Sequence, residues 1–594
     1  MMPKDSLTLI KNPSQTKLRE LALKETPFVF KTERGNLNKI SHNKSRVAQW
    51  TYVAAKPEEK NLYSGVTLPH PQVRELIGIQ KKYIESKKRL IVIEGYLGSG
   101  PRAVAVEWLY TPEGANIAGM QQILSFSREA VESADQLKKP FRPEFQVVYT
   151  PGLKIEGMPG QQAIVVDLEK KTTHIMGPDY FGESKKAALR LLNDHIYQRG
   201  GLVLHAGAKI VKIGGKAITM TIMGLSGTGK TTTTFSKQGD LTQPIQDDMV
   251  SLWPGGECGI TENGCFAKTY GLTHETEPVI FEGTRNPEAW VENVFTDAEG
   301  KFDFSKGFLT PDEVAQMKSV LKATAGATES NLNDYISGRV KPNEIVDENG
   351  LPREGWDFAL WTQNGRSVIP MGLIPDAADF SKIPPVGSMG ILNRDEGRLA
   401  AMPGILRFSS PEQAAGYFML GETTKTSAAG KERGKTRSPF TQPFFPRAHG
   451  LQAKRFWEIA ATMPNTGMWL MNTGYVGGAQ KDVDQGTALK VKIRHSSAML
   501  EAMLQQEIHW KKDPDFGYEI VDVDHPANAK LLSLVPKEIL NPVLLFKLQN
   551  READYKQWVQ QMNEERKTFL EKYDVDPAVI KAVVRNGRSK RAAA

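Results

Sequence analysis

A glycine-rich loop in the middle of the chain restricts the possible folds more than any other feature of the sequence. Residues Gly224 to Thr231 read GLSGTGKT; they follow the apolar run KAITMTIM and open into TTTTFSK. The apolar run has the composition of a buried strand, and the segment after the loop can begin a helix. The order of strand, glycine loop and helix predicts an α/β fold with a phosphate-binding loop. The alternative is a glycine turn with a purely structural role.

The residue types in this loop suit the binding of a nucleotide such as ATP. Glycines allow the backbone amides to close around phosphate oxygens, Lys230 neutralises charge on the β- and γ-phosphates, and the Thr231 hydroxyl can bind Mg²⁺. The predicted nucleotide-binding residues of the loop are Gly224, Leu225, Ser226, Gly227, Thr228, Gly229, Lys230, Thr231 and Thr232.

A pair of acids downstream offers the carboxylate that a metal-dependent phosphate loop needs. Asp247 and Asp248 stand seventeen and eighteen residues after Lys230, in PIQDDMVSLW. Two adjacent acids at the end of a strand are poor core residues unless they bind a cation. An exposed acidic turn is the alternative interpretation.

Composition and charge limit the class of protein. The chain has 594 residues, which predicts about two to four domains, or two large ones. Its 40% hydrophobic residues include no run of about 18 that could span a bilayer, and its N-terminus lacks a signal-peptide segment, so we expect a cytoplasmic protein with no membrane partner. The net charge of +8 favours anionic substrates but does not require nucleic acid, which we do not expect as a partner. Cys258 and Cys265 lack the spacing of a zinc site or a disulfide framework.

The composition changes along the chain and suggests an order of domains. Residues 1–60 are polar and predict an extended or loosely attached N-terminal arm. The runs FQVVYTP, QAIVVDL, KTTHIMG and GLVLHAGAKIV predict strands in the middle region, with a helix from about Lys185 to Arg199. The last ninety residues show helical periodicity. Residues 421–450 are basic and rich in Gly, Ser, Thr and Pro, which predicts a mobile lid. The basic tail RNGRSKRAAA predicts a frayed terminus, with a contact to RNA or a partner as the alternative.

Several motifs, in order along the chain, resemble those of the ATP-type phosphoenolpyruvate carboxykinases. They run from about residue 140 to 545 and include YFGESKKA, LHAGA, GLSGTGKTT, IQDDMVSLW, ENGCFAKT, NGRSVIP, KERGKT, NTGYVGG and VPKEILNP. The resemblance implies a two-domain α/β fold with the phosphate loop in a mixed β-sheet. It divides the chain into an N-terminal substrate domain, residues 61–212, and a C-terminal nucleotide-binding domain, residues 213–594, with the site in the cleft between them.

The resemblance also implies roles for individual residues where the motifs match. Lys186, His205 and Asp248 would bind Mn²⁺, while Thr231 binds the Mg²⁺ of the nucleotide. Tyr180 and Arg366 would hold the small carboxylate substrate, the arginine through a charge-assisted fork. Glu262 and Arg433 would contribute to the nucleotide site. The residues assigned to catalysis are Lys186, Lys230, Arg366 and Asp247.

The implied reaction is the decarboxylation of oxaloacetate to an enolate, which takes the γ-phosphoryl group of ATP and yields phosphoenolpyruvate, CO₂ and ADP. Stabilisation of spread negative charge by cations would supply most of the catalysis.

One early segment departs from the family pattern. The family has a G-R-S-P-K-D-K segment whose arginine binds a substrate carboxylate, and this chain has GYLGSGPRAVAV, in which Arg102 follows Pro101. Arg102 is the candidate replacement. The departure leaves three hypotheses open: oxaloacetate-dependent synthesis of phosphoenolpyruvate, an ATP-dependent kinase for another small molecule or a protein, and a nucleotide-sensing binding protein. The sequence does not determine the oligomeric state.

Overall fold

The computed structural model describes residues 7–43, 47–225, 228–347, 352–426, 433–442 and 444–584, although of residues 48, 425, 426 and 433–435 it describes only the backbone. Strands and helices alternate along these residues, and two eight-stranded sheets form the main layers. No helix in the described ranges combines the length and the hydropathy needed to cross a membrane.

The strands are, in chain order, β1 Thr8–Lys11, β2 Val29–Lys31, β3 Leu37–Lys39, β4 Thr51–Ala54, β5 Val66–Leu68, β6 Arg89–Leu97, β7 Val104–Tyr110, β8 Phe145–Pro151, β9 Ala163–Asp167, β10 Thr172–Gly177, β11 Leu202–Leu204, β12 Ala206–Ile213, β13 Lys216–Gly224, β14 Leu241–Gln246, β15 Val250–Leu252, β16 Cys258–Ile260, β17 Gly264–Lys268, β18 Trp290–Glu292, β19 Arg366–Pro370, β20 Val386–Asn393, β21 Ile405–Arg407, β22 Thr423–Thr426, β23 Arg433–Thr436, β24 Gly467–Asn472, β25 Tyr475–Val476, β26 Leu489–Lys490, β27 Trp510–Lys512 and β28 Glu519–Val521.

The α-helices are, in chain order, α1 Gln15–Glu25, α2 His70–Lys87, α3 Ala115–Leu124, α4 Arg128–Val131, α5 Ala134–Leu137, α6 Phe181–Gln198, α7 Lys230–Phe235, α8 Pro278–Arg285, α9 Pro311–Gln316, α10 Lys318–Thr324, α11 Glu329–Ile336, α12 Pro411–Leu420, α13 Gly450–Ala461, α14 Gln480–Asp484, α15 Ile493–Leu504, α16 Ala529–Leu532, α17 Lys537–Leu540, α18 Val543–Leu548, α19 Glu552–Glu571 and α20 Pro577–Val583.

The first large sheet is built from the N-terminal third of the chain. Its strand order is β1-β6-β7-β8-β10-β9-β4-β5, with parallel and antiparallel neighbours mixed. Buried side chains of this sheet pack against α1, α3 and α6 in one core. The helix α6 is buried along almost its whole length, which is the pattern of a helix enclosed on all sides.

The second large sheet has the order β14-β12-β13-β20-β24-β21-β28-β27. Its centre is parallel: β13 pairs with β20, and β20 with β24. Gly224 is the register partner of Leu392, and Asn393 that of Asn472, so the carboxyl ends of the three strands meet at one edge. Ligands commonly bind beyond the carboxyl ends of parallel strands, so this edge is the first place to look for a site.

A five-stranded sheet brings distant segments together beside these layers. Its order is β17-β19-β18-β3-β2, and the helices α9 to α11 lie in the chain between β18 and β19. Glu292 on β18 and Lys268 on β17 are both register partners of Arg366 on β19, and Lys39 on β3 is a partner of Glu292. Four charged residues therefore form one row across this sheet.

The first sixty residues differ from their prediction. The strand β1 pairs parallel with β6, β4 pairs with β9, and α1 buries Leu18, Leu21 and Ala22. The described residues of this segment are part of the folded body rather than a loosely attached arm, because a few correctly spaced apolar residues suffice to bury one face of each element. The predicted boundary at residue 212 also falls inside the hairpin of β12 and β13.

Candidate active site

The carboxylate of Asp248 is the meeting point of three cationic or potentially cationic side chains. Lys185 Nζ lies 2.7 Å from its Oδ2, and both His205 Nε2 and Lys230 Nζ lie 2.9 Å from its Oδ1. These residues come from α6, from the junction of β11 and β12, and from the first residue of α7. Three segments far apart in the sequence thus converge on one carboxylate just after β14.

The local charges keep Asp248 ionised. Burial alone would raise the pKa of this carboxyl group, but Lys185, Lys230 and His205 outweigh it and hold the pKa well below its usual range. For the neighbouring Asp247, burial and the charge of Asp248 outweigh Lys185 and Lys230, and its pKa rises to about 6. Within the described ranges, no hydrogen-bond donor reaches Oδ1 of Asp247. The two adjacent acids therefore differ in character: one is a fixed anion and the other is close to protonation.

Lys185 joins Asp248 to a second buried acid. Its side chain is 1% exposed, and Nζ donates to Glu262 Oε2 at 2.6 Å as well as to Asp248. Burial would lower the pKa of Lys185, but the two carboxylates raise it above its ordinary value. Glu262 is buried beside Asp248, and its pKa rises to about 7 mainly because of burial. A single ammonium group shared by two carboxylates thus stands at the centre of the site.

The backbone around the acids is braced by Gln246. Its Oε1 accepts hydrogen bonds from the N–H groups of Asp247 and Asp248, at 2.6 and 3.2 Å, and its Nε2 donates to the carbonyl oxygen of Glu262 at 3.3 Å. This one side chain, 1% exposed, links the two acidic segments. The spacing of the carboxylates is therefore set by the last residue of β14.

His205 is placed to act as a metal ligand. Its Nδ1 lies 3.1 Å from the carbonyl oxygen of Phe440 and its Nε2 lies 2.9 Å from Asp248 Oδ1. Burial, with Lys230 as the next cause, lowers the pKa of His205, so the ring is neutral and has one N–H for two acceptors. If Nδ1 donates to Phe440, then Nε2 and Asp248 present two lone pairs to each other. A divalent cation bound by both atoms would satisfy both lone pairs. The carbonyl of Phe440 would then orient the ring, as outer-shell acceptors do for metal-bound histidines.

The described residues of the glycine loop lie between a strand and a helix. The strand β13 ends at Gly224 and α7 begins at Lys230, with Gly229 at φ 88° between them. An added Cβ at Gly224 would lie 2.4 Å from Thr228 Oγ1, so a larger residue there would displace the Thr228 side chain. Thr473 donates to the carbonyl of Thr228 at 2.9 Å and ties the loop to the end of β24. Ser226 and Gly227 lie outside the described residues.

Side chains of α7 contact two acids beside the loop, Asp248 and Glu277. Lys230 reaches that carboxylate, Thr231 lies in the same first turn, and Thr232 Oγ1 donates to Glu277 Oε1 at 2.6 Å. Lys230, which the sequence predicts to bind phosphate, therefore contacts Asp248, which the sequence predicts to bind a metal. Such a pairing is suited to a lysine that exchanges a carboxylate for a phosphate when a ligand arrives.

The structure brings together the two residues predicted to hold the substrate. The rings of Tyr180 and Phe266 lie 6.5 Å apart, and the guanidinium of Arg366 lies 5.8 Å from the centre of the same Phe266 ring. Glu292, the register partner of Arg366, accepts a hydrogen bond from the Phe181 N–H at the start of α6. Burial raises the pKa of Glu292 to about 8. Lys185 Nζ is 5.7 Å from the Phe266 ring, which connects this group to the Asp248 cluster.

Three other predicted residues have different surroundings. Arg102 forms an ion pair with Glu257, with Nη2 to Oε2 at 2.7 Å, and its guanidinium stacks 3.7 Å from the Trp253 ring. Lys186 is buried in α6 beside Lys185. Arg433 begins β23, and its side chain lies outside the description. The roles predicted for these residues remain predictions.

Sequence reasoning missed Lys185, Gln246 and Glu292. The sequence held no clear signal for Lys185, because α6 also carries Glu183, Lys186 and Arg190, and only its burial shows that these charges need partners. Glu292 follows the buried run AWV, so a carboxylate at the end of a short strand was its only signal. Among the described residues no group of three His, Cys, Asp or Glu could hold a metal, and the predicted set instead combines His205 and Asp248 with a lysine.

These features define a class: an α/β protein on mixed sheets whose buried lysines, histidine and acids converge beside a strand–glycine loop–helix turn. Comparison with known proteins gives the family. The model of the phosphoenolpyruvate carboxykinase family, in its ATP form, matches residues 7–329 and 342–525, and the chain belongs to this family.

Curated relatives agree at modest identity. Proteins named phosphoenolpyruvate carboxykinase (ATP) from a Bradyrhizobium species and from Rhizobium rhizogenes are 28% and 29% identical to this chain over 417 and 408 residues. These alignments cover 68% and 66% of the chain but only 63% and 61% of the relatives. A third relative with the same name, from Mesorhizobium japonicum, is 29% identical over 393 residues, covering 64% of this chain and 60% of its own length. The chain thus spans a little under two thirds of the length of these relatives.

Proposed function

We propose that the protein is an ATP-dependent phosphoenolpyruvate carboxykinase, which converts oxaloacetate and ATP to phosphoenolpyruvate, CO₂ and ADP. The observation that carries the proposal is the convergence of Lys185, His205 and Lys230 on Asp248 beside the glycine loop. Membership of the family and the names of the curated relatives support it. Cytoplasmic location is part of the same proposal.

The substrate side of the reaction would use the group around Phe266. Arg366 would receive a carboxylate of oxaloacetate in a two-pronged, charge-assisted hydrogen bond, and Tyr180 would lie along the substrate. The C–C bond to the departing carboxylate breaks, CO₂ leaves, and its electron pair forms the enolate of pyruvate. Glu292, whose pKa is raised to about 8, carries a proton at neutral pH, so it leaves the positive charge of Arg366 available to the substrate.

The nucleotide side would use the loop from Gly224 to Thr232 and Lys230. The enolate oxygen attacks the γ-phosphorus, the bond to the β-phosphate oxygen breaks, and ADP leaves with the negative charge. Lys230 would leave Asp248 and neutralise the β- and γ-phosphates as this charge develops. Lys185 remains between Asp248 and Glu262 and keeps Asp248 ionised. Arg433 and Glu262 would complete the nucleotide site.

The residues present fit divalent metal ions. With the Nδ1 proton of His205 on the Phe440 carbonyl, His205 Nε2 and Asp248 face each other with lone pairs, and together with Lys186 they would hold Mn²⁺. Thr231 would bind the Mg²⁺ of the nucleotide. The ions would supply positive charge to the substrate oxygens and to the phosphates. His205 is neutral, as a metal ligand must be, because burial and Lys230 lower its pKa.

The direct test is a balance of products. The protein is incubated with ATP, Mg²⁺, Mn²⁺ and oxaloacetate, and phosphoenolpyruvate and ADP are quantified by ³¹P NMR. We expect equal amounts of the two products and a loss of at least about 100-fold in Lys230→Met, because one preorganised cation at a transferring phosphoryl group is worth that much. Lys212→Met on β12 is the matched control, because Lys212 is exposed.

Two other results would favour the alternatives. ADP formation that depends on a different acceptor, with no phosphoenolpyruvate from oxaloacetate, would indicate a kinase on a carboxykinase fold. The engagement of Arg102 with Glu257, instead of a substrate, is the observation that keeps this alternative open. Nucleotide binding with no turnover for any acceptor would indicate a nucleotide-sensing protein.

A further inference from the structure

Lys209 on β12 is a buried lysine that the reaction proposed above does not use. Its side chain is fully buried, and within the described ranges it forms no ion pair with a carboxylate. Its ammonium group instead donates to neutral oxygens: the carbonyl of Thr233 at 2.5 Å, the carbonyl of Ser236 at 2.8 Å, and the side-chain oxygen of Gln238. A buried cation without a carboxylate is costly and needs a structural or functional reason.

The oxygens that Lys209 binds belong to the end of α7. This helix spans only Lys230–Phe235, and its final carbonyl groups have no partner within the helix. A cation at the C-terminus of a helix both satisfies these groups and complements the negative end of the helix dipole. A helix of six residues is not stable alone in water, so its position depends on such contacts.

The face of β12 that carries Lys209 also contacts the rest of α7. Gly207 and Lys209 lie two residues apart on β12, and alternate residues of a strand point to one side. An added Cβ at Gly207 would lie 2.0 Å from Thr234 Oγ1, so α7 rests directly on the backbone there. The pairing with β14 shifts by one residue between Ala208 and Lys209, and such bulges re-aim a side chain.

The other end of α7 carries the predicted phosphate contacts. Lys230 and Thr231 are its first two residues, and Thr234 Oγ1 donates to the carbonyl of Lys230 at 2.9 Å. The helix has only six residues, so a shift at its C-terminus would reach its first turn. The carbonyl oxygens that Lys209 binds, those of Thr233 and Ser236, lie within two turns of Lys230.

We propose that Lys209 is a positioning residue for the nucleotide site: by binding the last carbonyl groups of α7 it fixes the helix on β12 and thereby sets the place of Lys230 and Thr231. This inference rests on the proposed function insofar as the loop binds a nucleotide. It assigns no contact between Lys209 and the nucleotide or the substrate.

The test compares Lys209→Met with Ile210→Ala. Ile210 follows Lys209 on the same strand, points to the opposite face and belongs to a separate core, so its truncation lowers stability without changing the face that carries α7. The dissociation constant of a non-hydrolysable ATP analogue with Mg²⁺ is measured by calorimetry, beside the melting temperature. We expect Lys209→Met to weaken nucleotide binding about tenfold or more, the effect of losing one charge-assisted contact, while Ile210→Ala changes it less than about twofold.

A second readout does not depend on nucleotide. Amide hydrogen exchange over residues 230–236 should accelerate at least about tenfold in Lys209→Met and stay unchanged in Ile210→Ala, because in Lys209→Met the opening of α7 no longer breaks the contacts of the ammonium group. If the wild-type protein binds no nucleotide, the proposed function fails, and this exchange still tests Lys209. Lys209→Arg, which keeps the charge and the donors, should restore part of both properties.

The proposal is overturned if folded Lys209→Met binds the analogue as wild type does and exchanges these amides at the wild-type rate. If Lys209→Met does not fold, Lys209→Gln is measured in its place, because the amide retains donors without the charge. Failure of both variants to fold would also overturn the proposal, since Lys209 would then support the whole sheet rather than α7.

Discussion

The ammonium group of Lys185 lies 2.7 Å from Asp248 and 2.6 Å from Glu262, and these acids lie just after β14 and just before β17, two strands of different sheets. A lysine on α6 thus holds the end of β14 against the segment that leads into β17. This contact joins the helix of the first large sheet to the acids beside the glycine loop.

Removal of Lys185 should damage both stability and catalysis. Lys185→Met leaves two buried carboxylates without their shared cation, which costs about 3 kcal/mol or more of unfolding free energy and lowers turnover at least about 100-fold. Urea denaturation and the product assay measure the two effects. The double variant Lys185→Met/Glu262→Gln removes one of the carboxylates, so it should regain part of the stability. Equal stability of the single and double variants would contradict the shared-cation interpretation.

Arg102 and Arg366 should differ sharply in their effect on oxaloacetate. Arg366→Ala should raise KM by one to two orders of magnitude, because a charge-assisted hydrogen bond is worth roughly 1.5 to 3 kcal/mol. Arg102 is 42% exposed and paired with Glu257, so Arg102→Ala should change KM less than about twofold and stability by less than about 1 kcal/mol. Steady-state kinetics at saturating ATP check this. Similar KM values for the two variants would indicate that Arg102 also binds the substrate.

The contact between Gly207 and Thr234 should be sensitive to a single methyl group. Gly207→Ala places a Cβ about where Thr234 Oγ1 stands, so α7 must move away from β12. We expect a loss of about 1 to 3 kcal/mol of stability together with weaker nucleotide binding. The double variant Gly207→Ala/Thr234→Ala removes the clashing hydroxyl and should recover part of both. No recovery in the double variant would show that the strain lies elsewhere.

Lys209 should make the free energy of unfolding depend on pH. Burial lowers the pKa of this group to about 7 from 10.5, so between these values the unfolded chain binds a proton that the folded chain does not. The contribution of this group to stability is fully present above pH 10.5 and is lost as the pH falls through 7. Urea titrations from pH 6 to 9 measure the free energy of unfolding of both proteins. The excess of wild type over Lys209→Met should grow by on the order of 1 kcal/mol per pH unit above pH 7. A constant difference would contradict the lowered pKa.

Local patterns predicted a large part of the fold. The runs FQVVYTP, QAIVVDL and KTTHIMG form β8, β9 and β10, and the glycine loop lies between β13 and α7 as its flanks predict. The run GLVLHAGAKIV predicted one stretch of strand, whereas β11 and β12 belong to different sheets. The chain leaves one sheet and enters the other at His205, and strand propensity contains no information on the partner of a strand.

The sequence predicted those site residues that lie in separate motifs, but not the choice between two adjacent lysines. Asp248, His205 and Lys230 converge as the family resemblance implies. The sequence could not show that Lys185 of the Lys185–Lys186 pair reaches Asp248, because neighbouring residues of a helix point about 100° apart and the packing of α6 decides which one faces the acid. The roles of Lys186 and Arg433 stay predictions.

The alternate residues of β12 also limit how this protein can be re-engineered. Gly207 and Lys209 lie on the side of this strand that contacts α7. Insertion of one residue between them would turn Lys209 to the opposite face of the sheet. The segment after α7 is held by the same lysine through the carbonyl of Ser236 and the side chain of Gln238, so a change in its length would disturb the same contact.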